Sequence, residues 1–125
     1  MDKPSVNKIS RRLKAISDPT RIKILVMLSK RECCVCELTA ALGLAQPTVS
    51  RHLKQLELEG FVSGRRDKNW MLYKLSPREE CCRKLLNIVI DRAEQDPGMK
   101  ALLERLFSID RNTIAGEAEK TGAAA

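Results

Sequence analysis

Apolar positions recur at helical spacing through the first half of the chain, alternate over a short middle segment, and then return to helical spacing. Val6, Ile9, Leu13 and Ile16 line one face of a first helix predicted over residues 5–17. Asp18 and Pro19 end it and open the next, because aspartate caps a helix N-terminus and proline suits the first helical position. Ile22, Leu25, Val26 and Leu28 supply the buried side of a second helix over 19–30. Val35, Leu38 and Leu42 mark the core face of a short third helix over 33–42, and Gly43 stands where a left-handed residue would stop it. Pro47 opens a fourth helix over about 46–59, with Val49, Leu53 and Leu56 inside and Gly60 as its stop. Two short helices joined by a tight glycine turn make a helix-turn-helix.

Residues 61–66 and 70–75 read as two strands, with Asp67, Lys68 and Asn69 as the turn between them. A hairpin directly after a helix-turn-helix is a wing. Ser76, Pro77 and Glu79 have the spacing of a capping box and predict a fifth helix over 77–95, with Leu85, Leu86, Val89 and Ala93 on its apolar side. Asp96, Pro97 and Gly98 break it, and a last helix over 99–108 carries Leu102, Leu103, Leu106 and Phe107. The expected fold is mainly α with a small β-hairpin, in the order α-α-α-α-β-β-α(-α). Residues 1–108 are read as one DNA-binding and dimerisation domain, and 109–125, with Glu117, Glu119 and many small residues, as a flexible tail.

With Val49 and Leu53 inward, the fourth helix leaves Gln46, Thr48, Ser50, Arg51 and His52 to face outward. Glutamine pairs with adenine and arginine with guanine, while serine, threonine and histidine take either base or phosphate roles. These residues lie in the first turns, where a recognition helix meets bases. Arg65, Arg66 and Lys68 crowd the hairpin tip, where they would grip phosphates in a salt-dependent way. His52 is the only histidine and stands with no thiol or carboxylate at ligand spacing, so it is read as a DNA contact. The formal net charge of +7 points the same way, toward a polyanionic partner such as double-stranded DNA.

No run approaches the roughly 18 apolar residues of a membrane span, and the charged, proline-broken first residues do not resemble a signal peptide. The expected compartment is the cytoplasm, where thiols stay reduced. The five cysteines are therefore read as ligands or small core residues, not as a disulfide framework. Cys33, Cys34 and Cys36 cluster just before the recognition helix, and soft thiolates select soft ions. On a regular helix residues 34 and 36 lie about 200° apart at about 3.6 residues per turn. Binding then uses Cys33 and Cys36 at i and i+3, or distorts the first turn to recruit Cys34. Cys81 and Cys82 form a second pair on the fifth helix, packing in a dimer interface, holding a second thiophilic ion or acting as a redox pair.

The segments Asp18-Pro19-Thr20-Arg21, Glu32-Cys33-Cys34-Val35-Cys36-Glu37-Leu38, Gln46 to Leu53 and Trp70 to Pro77 together resemble the ArsR/SmtB family, and within it the arsenical-resistance repressors. The resemblance covers residues 8 to about 95. It implies a winged-helix homodimer joined through its terminal helices. It also implies that ion binding releases operator DNA and derepresses resistance genes. Cys34-Val35-Cys36 matches the motif of the arsenic branch, whose third cysteine falls here on Thr39, while Cys33 is additional. Residues 77–95 lack the histidine of the zinc-sensing branch.

The expected function is a repressor that needs no cofactor for DNA binding, with As(III) or Sb(III) as inducer. The alternative keeps the fold but senses thiol oxidation or another soft metal ion. An enzyme is not expected, since neither a glycine-rich anion cradle nor a histidine stands beside the thiols.

Overall fold

The computed structural model describes residues 3, 5–109 and 111. Its elements run α1 (Val6–Ile16), α2 (Pro19–Lys30), β1 (Cys33–Cys34), α3 (Val35–Leu42), α4 (Gln46–Leu58), β2 (Val62–Asp67), β3 (Trp70–Leu75), α5 (Glu80–Ala93) and α6 (Pro97–Ser108). The predicted tail lies outside the described residues apart from positions 109 and 111.

Local chemistry sets most boundaries as expected. The Asp18 carboxylate accepts from Arg21 N at 3.0 Å, with Pro19 in the first turn of α2. Gly43 ends α3 at φ 68°, and its N–H donates to Thr39 O at 2.9 Å. Gly60 follows α4 at φ 84°, a region glycine enters without steric cost. The hairpin closes tightly, Asp67 pairing with Trp70, and Lys68 takes a positive φ of 57° in the two-residue turn.

Three expectations are corrected. Cys33 and Cys34 are not helical: they form β1, antiparallel to β3 with Cys33 opposite Tyr73 and Cys34 opposite Leu72, giving a sheet in the order β1-β3-β2. The pairing partner is distant in sequence, so local periodicity carries no trace of it. Ser76 does not cap α5, which starts at Glu80. Ser76 N and Arg78 N are held by Phe61 O and Gly60 O at 3.0 and 2.9 Å, which keeps the chain extended, and the Glu79 carboxylate is taken by Arg12 Nη2 at 2.7 Å. Finally, the predicted apolar face of α1 does not share one environment: Ile16 joins the core beside Ala15, while Val6, Ile9 and Leu13 are 82%, 42% and 46% exposed and Arg12 is buried instead.

The core lies where α2, α3, α4 and the sheet meet. Ile24, Leu25, Val26, Met27, Leu38, Val49, Leu53, Leu56 and Phe61 are fully enclosed there. Leu86 of α5 and Leu102 and Leu106 of α6 close it from the other side. Burial of this apolar surface holds α4 rigidly against the frame.

Candidate nucleic-acid interface and thiol cluster

Helix α4 buries Val49, Leu53 and Leu56 completely and so fixes which residues face outward. Arg51 is exposed, while Gln46, Thr48, Ser50 and His52 are half-buried around its first turns. On the wing, Arg65, Arg66 and Lys68 are all exposed, and Arg65 is tied by Glu32 at 2.9 Å and Asp67 at 3.8 Å. That pairing fixes Arg65 against the start of β1. His52 has a partner the sequence did not announce: its Nδ1 accepts from Arg21 Nε at 2.9 Å. The acceptor role leaves Nδ1 without a proton, so a neutral ring carries its hydrogen on Nε2. Burial, with Arg21 and Arg51 nearby, lowers the His52 pKa, and Asp18 opposes the shift.

The cysteines divide into separate environments. Cys33 is fully enclosed in the core, its Sγ 3.5 Å from Arg31 O, and burial pushes its thiol up to about 12. Cys34 faces the other side of the short strand, as alternation in β1 requires. Its extended backbone, at φ −79° and ψ 159°, carries Sγ back over the first turn of α3. There it accepts from Glu37 N at 3.3 Å, and Glu37 Oε1 accepts from Cys34 N at 2.8 Å, a reciprocal capping box.

The same turn brings Cys34 against Cys36, with the Cα atoms 5.3 Å apart and the sulfurs joined as a disulfide. Two sequence-based expectations are corrected here. These two cysteines are bonded rather than free, and the angular separation of positions 34 and 36 does not apply, because Cys34 precedes the helix. Among the described residues no three histidine, cysteine, aspartate or glutamate side chains stand together as a metal-binding group. The structure thus brings Cys34 and Cys36 together and leaves Cys33 apart.

Cys34 and Cys36 line a cleft of about 330 Å³ whose other walls include Gln46 and Ser50 of α4 and Arg66 and Trp70 of the wing. The two sulfurs and outward-facing side chains of α4 and the wing therefore share one cavity. Cys81 and Cys82 lie elsewhere, at the start of α5. Cys82 is buried with Sγ 3.5 Å from Glu59 O, and burial raises its pKa. Arg12 hydrogen-bonds Glu79 and reaches Cys81, and its own pKa is raised chiefly by the Glu79 bond.

Residues 18–63 match the bacterial regulatory protein, arsR family. The arsenical resistance operon repressor of Staphylococcus xylosus is 39% identical over 72 residues, 58% of this chain and 69% of that protein. The chain belongs to the ArsR family. The arsenic resistance transcriptional regulator ArsR1 of Pseudomonas putida is 45% identical to this ArsR-family chain over 65 residues, 51% of each. The match thus spans about half the length of that relative. Among solved structures, a homodimeric winged helix-turn-helix DNA-binding domain from Mycobacterium bovis, a possible ArsR-family regulator, superimposes with a TM-score of 0.61 at 25% identity. It covers 78% of this chain and 94% of that one. These relatives are transcriptional regulators, not enzymes, and the winged helix-turn-helix fold expected from the sequence is the one found.

Sequence reasoning assigned no individual site role to Arg21, Arg31, Glu37, Trp70 or Arg111. One signal was available: Cys34-x-x-Glu37 has capping-box spacing, with a thiol in place of a hydroxyl. The others depend on tertiary contacts.

Proposed function

We propose that this ArsR-family protein is a dimeric repressor that holds double-stranded operator DNA and releases it when As(III) or Sb(III) binds the reduced Cys34 and Cys36 thiolates. Gln46, Thr48, Ser50 and Arg51 read the major groove from α4, with the His52 Nε2–H as a further donor. Arg65, Arg66 and Lys68 hold the flanking backbone. DNA binding itself needs no cofactor. The exposed apolar face of α1, together with the outward Ile88 and Phe107, supplies the dimer contact. No described helix is long and apolar enough to cross a membrane, in keeping with a cytoplasmic role.

The observation that carries this reading is the shared cleft: the two sulfurs lie beside Gln46, Ser50 and Arg66. An ion held by both thiolates occupies space and charge between recognition helix and wing. It also competes for the Cys34 sulfur that caps α3. Ion and DNA then favour different arrangements, which is what induction requires. The test is operator binding by the reduced protein, with and without micromolar arsenite, for wild type and Cys36→Ser. Release by wild type alone supports the site. Release by both moves it to Cys81 and Cys82, and release by neither removes arsenite as inducer.

A second reading is favoured by the disulfide between Cys34 and Cys36. Hydrogen peroxide oxidises the two thiols to the disulfide, its O–O bond breaking and its two oxygens leaving with the thiol hydrogens as two waters, and two molecules of a cellular thiol restore the pair by becoming a disulfide themselves. Peroxide-dependent release, reversed by reductant and lost in Cys36→Ser, separates this reading from the first.

A further inference from the structure

Glu37 is a carboxylate with 2% of its side chain exposed, and a buried charge requires paired partners. Its partners come from three parts of the chain. Cys34 N donates to Oε1 at 2.8 Å, Arg31 Nη1 to Oε2 at 2.7 Å, and Arg111 Nε lies 3.4 Å from Oε1. Arg111 lies beyond α6, outside the segment matched to the family. Its guanidinium also covers the ring of Trp70 at 5.6 Å. Trp70 opens β3 and lines the thiol cleft. Arg31 Nη2 meanwhile donates to Leu106 O at 3.3 Å and fastens the end of α6 to the same carboxylate.

These contacts form a continuous path. The Cys34 sulfur holds Glu37 N, Glu37 holds Arg111, and Arg111 holds Trp70. We propose that Arg111 is a positioning residue that links the cap of the cysteine helix to the wing, so that withdrawing the Cys34 sulfur from its capping role loosens Trp70. Glu37 has one backbone amide and one side chain engaged with the same turn, so losing the sulfur acceptor frees the first turn of α3 and displaces the carboxylate. Arg111 follows its counter-charge and leaves the ring, since the cation–π contact is weak at a half-exposed site. The inference does not depend on which species takes up the thiols.

Trp70 is the only tryptophan, which makes it the reporter. The experiment is acrylamide quenching of Trp70 emission in the reduced full chain, without any inducer, with circular dichroism to verify folding. Arg111→Gln is expected to raise the quenching constant about two-fold by uncovering the ring, and Arg111→Lys to fall between it and wild type. Cys34→Ala is expected to produce a rise of the same sense, and the double variant Cys34→Ala, Arg111→Gln no more than Arg111→Gln alone. Additive effects overturn the proposal, as does wild-type quenching in Cys34→Ala beside a change in Arg111→Gln. No change in Arg111→Gln overturns it as well. Should Cys34→Ala lose helix content, Glu37→Gln replaces it as the upstream variant.

Discussion

Arg21 donates its Nε–H to His52 Nδ1 across 2.9 Å, joining the first turn of α2 to the recognition helix. Protonating Nδ1 would turn this hydrogen bond into a contact between two cations. The folded His52 pKa is therefore below its ordinary value of about 6.5, first through burial and then through Arg21 and Arg51. The unfolded chain takes up the proton first as pH falls. The stabilisation is thus fully present above about 6.5, and declines below it until the folded histidine also titrates. Urea midpoints at pH 7.5 and 5.5 should fall more for wild type than for His52→Gln. Glutamine keeps an acceptor for Arg21 and does not titrate. Identical pH dependence in both proteins would remove His52 as the cause.

The helix-turn-helix was legible because its signals are local. Asp18 and Pro19 fix the start of α2, Gly43 and Gly60 take the positive φ that stops α3 and α4, and Val49, Leu53 and Leu56 mark the inner stripe. The start of α3 was not legible, because Cys33 and Cys34 become a strand only by pairing with Tyr73 and Leu72. The start of α5 misled for a related reason. Glu79 has the right spacing to cap from Ser76, yet Arg12 from α1 claims its carboxylate. The outward-facing residues of α4 followed from the stripe they oppose. The thiol pair did not, since its proximity depends on one non-helical residue, Cys34.

Gly64 is a packing glycine rather than a turn glycine. A Cβ at this position would stand 2.7 Å from Tyr73 Cε1 and 2.8 Å from Met71 Cε. The methionine can swing aside, but the rigid ring of the buried Tyr73 must shift as a whole. Gly64→Ala is expected to destabilise the protein by about 1–3 kcal/mol through overpacking. The thermal midpoint should fall, and operator affinity with it as the wing is displaced. An unchanged midpoint would show that the sheet absorbs the methyl group.

Arg51 and Arg66 are exposed on α4 and β2, but they belong to different kinds of contact. Arg51→Ala should cost about 1–3 kcal/mol of operator binding and relax sequence preference, as loss of a base contact does. Arg66→Ala should weaken binding across all sequences and lower the salt slope by about one. Salt titrations on operator and scrambled DNA distinguish the two. If both variants behave alike, α4 does not enter the groove by its first turns.

Ile9 and Leu13 occupy an apolar face of α1 that meets no part of its own described chain closely enough to be buried. In a dimer this face gains cover, so Leu13→Glu places a charge in the contact and should shift sedimentation from dimer to monomer. Because Leu13 is 46% exposed in the single chain, the folded monomer should survive the change. A Leu13→Glu protein that still sediments as a dimer would move the contact to α5 and α6.

Cys33 is enclosed, and its thiol is pushed up to about 12 by burial. At pH 8 it is almost wholly protonated, and the thiolate is the reactive form. In the reduced native protein, iodoacetamide should label Cys36 and the half-buried Cys81 well before Cys33, with mass spectrometry of peptides giving the order. Cys82, buried and raised in pKa, should also lag. The order separates the two thiol assignments near α3. Early labelling of Cys33 would mean that β1 opens readily, and a pair made of Cys33 and Cys36 would then regain its claim as the ion site. Late labelling of Cys33 leaves the cleft pair as the assignment, entered through the half-buried Cys36, since Cys34 is itself enclosed.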